Sequence, residues 1–387
     1  MRLDTRALRR QARQVLPEGV YDFYASGSGR EATLRASLAS WRRVTLLPRV
    51  LRDVSTVDTG LAGTGLTGTG LATPVGVAPT AFHSLAHPDG EIATAAGAAR
   101  AGALYVMSTR CTRRIEDIAA ATATAGGTWW FQTYVMRDRA LTAGLVRRAA
   151  ACGAAALVLT GDTPVVGRKL RTPDNRPVSD AEFLVNLGPL ADIRAAEQAP
   201  DVTLADIGWL AEVSGGLPVV VKGVLRADDA VLCAEHGAAG VIVSNHGGRQ
   251  LDGAITAAQA LPAVAAALAR HNSAPGADGS ERARMGCTTG AGPQTAPDPL
   301  MAQERAGGRC EVYADGGLRT GEDILAALAL GARAVFVGRP VLWALATGGE
   351  AGVHDLLAGL TGDLAHAMAL AGAARLADLA GLADLDG

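Results

Sequence analysis

The chain reads as an α/β protein, a (β/α)8 TIM barrel preceded by a helical N-terminal extension. Three observations predict this. From about residue 75 onward, eight short apolar runs alternate with longer segments of helical period. The runs are apolar throughout rather than alternating, so both faces of the sheet must be covered. The 387 residues also suit eight such βα units plus an extension. An open doubly wound sheet is the competing arrangement.

The runs are Val75–Ala78, Leu104–Met107, Trp129–Thr133, Leu157–Thr160, Pro218–Lys222, Gly240–Ser244, Glu311–Ala314 and Ala334–Gly338. Each precedes a plausible helix, such as Arg226–His236 after the fifth and Gly321–Leu330 after the seventh. Three segments fall outside the repeat, which sets the organisation as 1–74, an N-terminal packing segment, and 75–387, the barrel. Residues 1–74 suggest helices over Asp4 to Val15 and Glu18 to Ala25, then a glycine-rich stretch with possible strands. Residues 170–203 follow the fourth strand, as a βα loop on the C-terminal face, and are expected to form an active-site lid. Residues 271–309, rich in Gly, Pro and Ala, join helix to strand on the opposite face and are expected to be a disordered insertion.

Bulk properties narrow the function classes. The net charge is -2 with basic and acidic residues intermixed, which gives no nucleic-acid footprint. Five cysteines, at 111, 152, 233, 287 and 310, form no C-x-x-C pair and suggest neither zinc nor a disulfide framework. No apolar run follows the N-terminal arginines, and the low-polarity stretch from Ala254 to Ala269 is too short to span a bilayer. The expected setting is the cytoplasm, without a membrane partner.

Barrel chemistry is built at the C-terminal ends of strands. Here those ends carry Pro79-Thr80-Ala81, Ser108, Gln132 with Tyr134, Thr160 with Asp162, Lys222, Ser244 to Arg249, Asp315 to Arg319, and Gly338-Arg339. Any one Ser or Thr there is ordinarily a helix cap and any one Lys solvated; polar or small groups at all eight ends are the informative pattern. The loops after strands seven and eight bind phosphate in many barrels. They offer Gly316, Gly317 and Gly338 for close backbone approach, and Arg319 and Arg339 with guanidiniums that match phosphate geometry. Asp315 in the same loop suits hydroxyls. A phosphate joined to a polyol points to FMN. Lys222 then becomes a fixed positive charge beside a flavin, and His246 a base whose basicity Asp162 raises.

The motifs SNHGGRQLD (244–252), YDFYASG, APTAFHSLAHPDGE (78–91), WFQTY (130–134), LTGDTP (159–164), LPVVVKG (217–223), DGGLRTGED (315–323) and GRP (338–340) occur in one order along the chain. Together they resemble the FMN-dependent 2-hydroxy-acid oxidases and dehydrogenases, which include glycolate, lactate, mandelate and 4-hydroxymandelate enzymes. The resemblance implies oxidation of an L-2-hydroxy acid to the 2-oxo acid, with oxygen as acceptor and hydrogen peroxide as product. It implies that Pro79, Thr80 and Ala81 line the flavin through the backbone, and that Ser108, Gln132 and Thr160 hold its ring. Lys222 and Ser244 would stand at the pyrimidine side. Asp315, Arg319, Gly338 and Arg339 would hold the ribityl phosphate. Tyr134 would contact the substrate hydroxyl and Arg249 its carboxylate, with His246, paired to Asp162, taking the proton. A homotetramer or larger assembly is implied as well.

Two positions depart from the family pattern. Phe23 stands where a Tyr usually helps hold the carboxylate, a loss of about 1.5–3 kcal/mol for a hydrogen bond to a charge. Lys169 stands where Arg is usual, keeping the charge without the bidentate fork; neighbouring Arg168 is a weak substitute. Arg110 falls at a pocket wall where glycolate oxidase has a bulky aromatic, and a solvated Arg is the favoured expectation there. Phe23 and the small Val166 suggest a larger, aromatic substrate side chain. The competing functions are a dehydrogenase with another acceptor, a non-redox FMN isomerase, and a non-catalytic flavin-binding relative.

Overall fold

The computed structural model describes residues 4–61, 66, 70–172, 176–274 and 309–384. Among these, eight parallel strands close into a barrel. They are β1 (Val75–Val77), β2 (Tyr105–Ser108), β3 (Trp129–Thr133), β4 (Leu157–Thr160), β5 (Val219–Val224), β6 (Gly240–Val243), β7 (Glu311–Asp315) and β8 (Ala334–Val337). The registers Val75↔Val335 and Val77↔Val337 join the last strand to the first. The closed barrel, not the open sheet, is the fold.

Apolar runs close a barrel because each strand has two dry faces. Val106, Trp130, Val158, Val220, Ile242, Tyr313 and Phe336 point inward and pack as one cluster. Their sequence neighbours face the outer helices. Trp130, Tyr313 and Phe336 form a ring of aromatic contacts at 5.4–6.0 Å between centroids. Leu61, Leu66 and Leu71 of the N-terminal segment join the inner cluster at the barrel floor. Thr45–Leu46 pairs antiparallel with Ala383–Asp384.

Among its described residues, the N-terminal segment holds three α-helices. The expected pair forms as α1 (Thr5–Val15), capped by Asp4, and α2 (Glu18–Ala25). A third, α3 (Ala32–Ser40), was not evident in the sequence because its buried Thr33, Ser37 and Ser40 break the apolar stripe. Those small residues let α3 lie close against the mouth of the barrel. Trp41, just after it, donates from Nε1 to the Gly316 carbonyl at 2.8 Å.

Residues 170–203 lie between β4 and the helix Ala205–Val213, and include the short helix Asp180–Phe183. Of the described ones, Arg176, Phe183, Ile193 and Ala196 line the cavity at the C-terminal mouth. Of the expected insertion, residues 271–273 complete the helix Ala257–Ser273, and 275–308 lie outside the described residues.

Gly317 shows how tightly the extension meets the mouth. Its φ is +90°, and a Cβ there would lie 1.9 Å from the Ser37 carbonyl oxygen. Gly317→Ala is expected to destabilise the protein by about 2–4 kcal/mol, read from the urea midpoint.

Candidate active site

Three successive residues after β6 adopt the left-handed conformation: His246 (φ 57°), Gly247 (φ 60°) and Gly248 (φ 74°). A histidine rarely sits there, so the surroundings must impose it. The backbone N–H of His246 donates to Ser244 Oγ at 3.0 Å. Asn245 donates from Nδ2 to Ser37 Oγ at 2.8 Å, and Ser28 N–H donates to the Gly248 carbonyl at 2.9 Å. The turn is therefore clamped between its own strand and the N-terminal extension. It presents the imidazole to the cavity with Nδ1 3.0 Å from Asp162 Oδ1. Gln250 Nε2 donates to the Asp162 carbonyl at 2.8 Å, which ties the loops after β4 and β6 together. Burial raises the pKa of Asp162, but His246 and Lys222 outweigh it and hold the carboxyl below its usual range. Burial and nearby Asp162 push the Tyr134 phenol up, which keeps it a neutral hydroxyl.

A polar belt runs round the mouth above the aromatic floor. Ser108 Oγ donates to Gln132 Oε1 at 3.2 Å, and Gln132 Nε2 donates to Thr160 Oγ1 at 2.9 Å. Lys222 Nζ donates to Ser244 Oγ at 2.9 Å and lies 3.2 Å from Asp315 Oδ2. Burial alone would push the Lys222 ammonium down, yet Asp315 and Asp162 hold it above its usual value. From sequence, Lys222 and Asp315 stood at opposite ends of a cofactor; folded, they form one buried ion pair. Asp315 Oδ1 is buried without a hydrogen-bond partner.

The opposite side of the mouth is rich in arginine. Arg339 donates from Nε to the Tyr24 carbonyl, from Nη1 to Gly247 and from Nη2 to Ser26, each at 2.9 Å. Arg249 Nη1 donates to the carbonyls of Phe23 at 2.8 Å and Ser26 at 2.9 Å, and its guanidinium carbon lies 5.3 Å from the Phe23 ring centroid. Arg319 donates from Nη1 to the Leu318 carbonyl at 2.6 Å. Carbonyl dipoles, not carboxylates, receive these guanidinium bonds. Burial pushes Arg249 and Arg319 down to about 10. Arg339 is pushed well below its usual value by burial and by Arg249 and Arg319.

These groups surround a cavity of about 530 Å³, within the range of small-molecule sites. Pro79, Thr80, Ala81, Ser108, Tyr134, Lys222, His246, Arg249, Asp315, Gly316, Gly317, Arg319, Gly338 and Arg339 all line it. Asp162, Gln132, Thr160 and Ser244 stand one or two hydrogen bonds behind those residues. Lys169 and Val166 also line the cavity, whereas Arg168 is exposed outside it. Lys169 donates to the Gly167 carbonyl at 3.1 Å, and burial, with Arg249 nearby, lowers its ammonium to about 8.

The expectation of a solvated Arg110 is overturned. Its side chain lines the cavity, because the lid supplies the carbonyl of Ala196 at 2.5 Å from Nη2 and the Phe183 ring at 4.7 Å from its guanidinium carbon. Sequence reasoning also passed over Tyr24, although it lies in the motif that contains Phe23. It missed Phe183, Ile193 and Glu197, which reach the cavity from an irregular lid with no periodic signal.

A closed barrel with a histidine–carboxylate pair, a polar belt and an arginine-rich cradle at its mouth defines a barrel enzyme whose site takes an anionic small molecule. The FMN-dependent dehydrogenase family model matches residues 12–275 and 290–383. The chain is 39% identical over 386 residues to an L-lactate oxidase of Nostoc sp., covering 95% of this chain and 94% of that protein. It is 39% identical over 379 residues to a 4-hydroxymandelate oxidase of Amycolatopsis orientalis, covering 94% and 93%. A solved mandelate oxidase structure superposes with a TM-score of 0.81 at 39% identity, covering 98% and 97% of the two chains. The chain belongs to the FMN-dependent dehydrogenase family, as its motifs suggested, and FMN is the cofactor its cavity serves.

The residues present fit that group. Gly316 and Gly317 line the cavity, the cradle guanidiniums lack carboxylate partners for their hydrogen bonds, and Asp315 Oδ1 is an acceptor suited to a polyol hydroxyl. Among the described residues, no helix is long and apolar enough to cross a membrane. Arg319→Met is expected to weaken FMN binding about ten- to hundredfold, the worth of a charged hydrogen bond, measured by titrating FMN fluorescence with apoprotein.

Proposed function

We propose that this protein oxidises an L-2-hydroxy acid to the 2-oxo acid and passes the electrons to oxygen, giving hydrogen peroxide. The carrying observation is His246, bonded through Nδ1 to Asp162 and facing a cavity that also presents Tyr134, Arg249 and Lys169. FMN, when bound, accepts two electrons from C2 of the substrate and yields them to oxygen. Arg249 and Lys169 hold the substrate carboxylate, and the neutral Tyr134 hydroxyl meets the 2-hydroxyl. His246 takes a proton through Nε2, the ring nitrogen left by the Asp162 bond. Asp162 then stabilises the imidazolium, a stronger interaction in a buried site than in water. Lys222, at the pyrimidine side of a bound flavin, would offset the negative charge the ring gains on reduction.

For the cofactor, the backbone of Pro79, Thr80 and Ala81, with Ser108, Gln132 and Thr160, would line the ring, and Lys222 and Ser244 its pyrimidine side. Asp315, Gly316, Gly317, Arg319, Gly338 and Arg339 would hold the ribityl phosphate. Phe23 cannot bond the carboxylate, but its ring under the Arg249 guanidinium keeps that group in place. The relatives named above are oxidases, which favours oxygen as acceptor. A homotetramer or larger in the cytoplasm is part of the same proposal; Val50 and Leu51, 79% and 102% exposed, supply apolar surface for assembly.

Mixed with L-lactate or mandelate without oxygen, the holoenzyme is expected to bleach its flavin absorbance; admitted oxygen should restore it within a turnover. Bleaching with slow restoration would point to another acceptor, and no bleaching with any 2-hydroxy acid would reject the function. His246→Gln is expected to slow the bleaching about 10²–10⁴-fold, and Asp162→Asn to slow it less. The Lys169 charge is present below its pKa of about 8 and lost as pH rises through that value. KM for the hydroxy acid should therefore climb above pH 8, and Lys169→Met should flatten that limb of the profile.

A further inference from the structure

We infer that Arg110 receives a second anionic group at the far end of the substrate, so that the preferred 2-hydroxy acid is a dicarboxylate. The inference rests on the 2-hydroxy-acid reading above and adds the class of side chain.

Arg110 lies just after β2 and reaches under the lid. One of its terminal nitrogens, Nη2, is spent on the Ala196 carbonyl. The other, Nη1, is buried without a hydrogen-bond partner. The guanidinium carbon lies 4.7 Å from the Phe183 ring centroid and 6.0 Å from that of Tyr134. Tyr134 is within electrostatic reach of both Arg110 and Arg249. A buried, charged N–H without an acceptor is a costly group unless a ligand completes it.

Neighbouring groups point the same way. Glu197 also lines this wall, but its carboxylate pairs with exposed Arg137 at 3.2 Å. Arg176, itself paired with Asp180, places its guanidinium carbon 5.0 Å from the same Phe183 ring. Phe183 thus already carries two guanidiniums, which takes away the obvious stacking partner for a phenyl substituent. Arg249 and Lys169 answer the first carboxylate of any 2-hydroxy acid. Arg110 is a further cation, and an apolar side chain would leave its Nη1 unbonded. A distal carboxylate completes it with a charge-assisted bond. The space opened by Val166 therefore serves a longer polar chain instead of the aromatic group first expected.

The test compares 2-hydroxyglutarate with its 5-amide, which differs in charge and hardly in shape. In the wild-type holoenzyme, kcat/KM should favour the dicarboxylate about ten- to hundredfold. Arg110→Met should bring that ratio towards one, and Arg110→Lys should retain part of it. The flavin absorbance of each variant checks that it is folded and loaded. Binding of 2-oxoglutarate against its 5-amide, read from the flavin spectrum without turnover, should show the same preference and the same loss. This reports on Arg110 even if oxidation of 2-hydroxy acids fails in the bleaching experiment. Equal binding of the oxo acid and its amide by the wild type, or a preference that survives Arg110→Met, would overturn the inference. So would better turnover of mandelate than of the dicarboxylate.

Discussion

Two buried guanidiniums, Arg249 and Arg339, grip the carbonyls at the end of α2, and the rest of the site depends on that grip. Their bonds to Phe23, Tyr24, Ser26 and Gly247 fasten the N-terminal extension to the mouth of the barrel. The same bonds hold the left-handed turn that carries His246. Because carbonyls are dipoles and not charges, the grip positions both arginines without neutralising them. Burial then makes each an expensive cation, and the wall they form selects for anions. An FMN phosphate and a substrate carboxylate are two answers to one electrostatic demand.

The other wall is balanced differently. Lys222 is paired with Asp315, and His246 with Asp162. These pairs sit above a dry aromatic floor of Trp130, Tyr313 and Phe336, which is sealed below by Leu61, Leu66 and Leu71. A low-dielectric base strengthens the bonds above it. The geometry that moves a proton is thus fixed by packing on one side and by the clamped turn on the other.

The barrel was legible because eight wholly apolar runs have few other ways to be buried. The ring of site residues was legible because strand ends in a barrel all face one way. Polar groups at every end, from Thr80 to Arg339, therefore had to converge. Contacts that depend on irregular backbone were not legible. Neither the Lys222–Asp315 pair nor the short helix α3 carries a periodic signal. Arg110 was misjudged for the same reason: its partners, Ala196 and Phe183, come from a lid whose path follows from no repeat. The motif around SNHGGRQLD identified His246, but only the fold shows that its strained backbone is held by Ser28 and Ser37, more than two hundred residues earlier.

The most direct measurement of the central claim is a crystal structure with FMN and a 2-oxo acid bound. A base at His246 requires Nε2 within about 2.6–3.2 Å of the ligand's C2 oxygen, with Nδ1 still on Asp162. The ligand carboxylate should lie against Arg249 and Lys169. An oxo acid bound with its carboxylate away from Arg249, or an imidazole turned off Asp162 and out of reach of C2 and its oxygen, would contradict it.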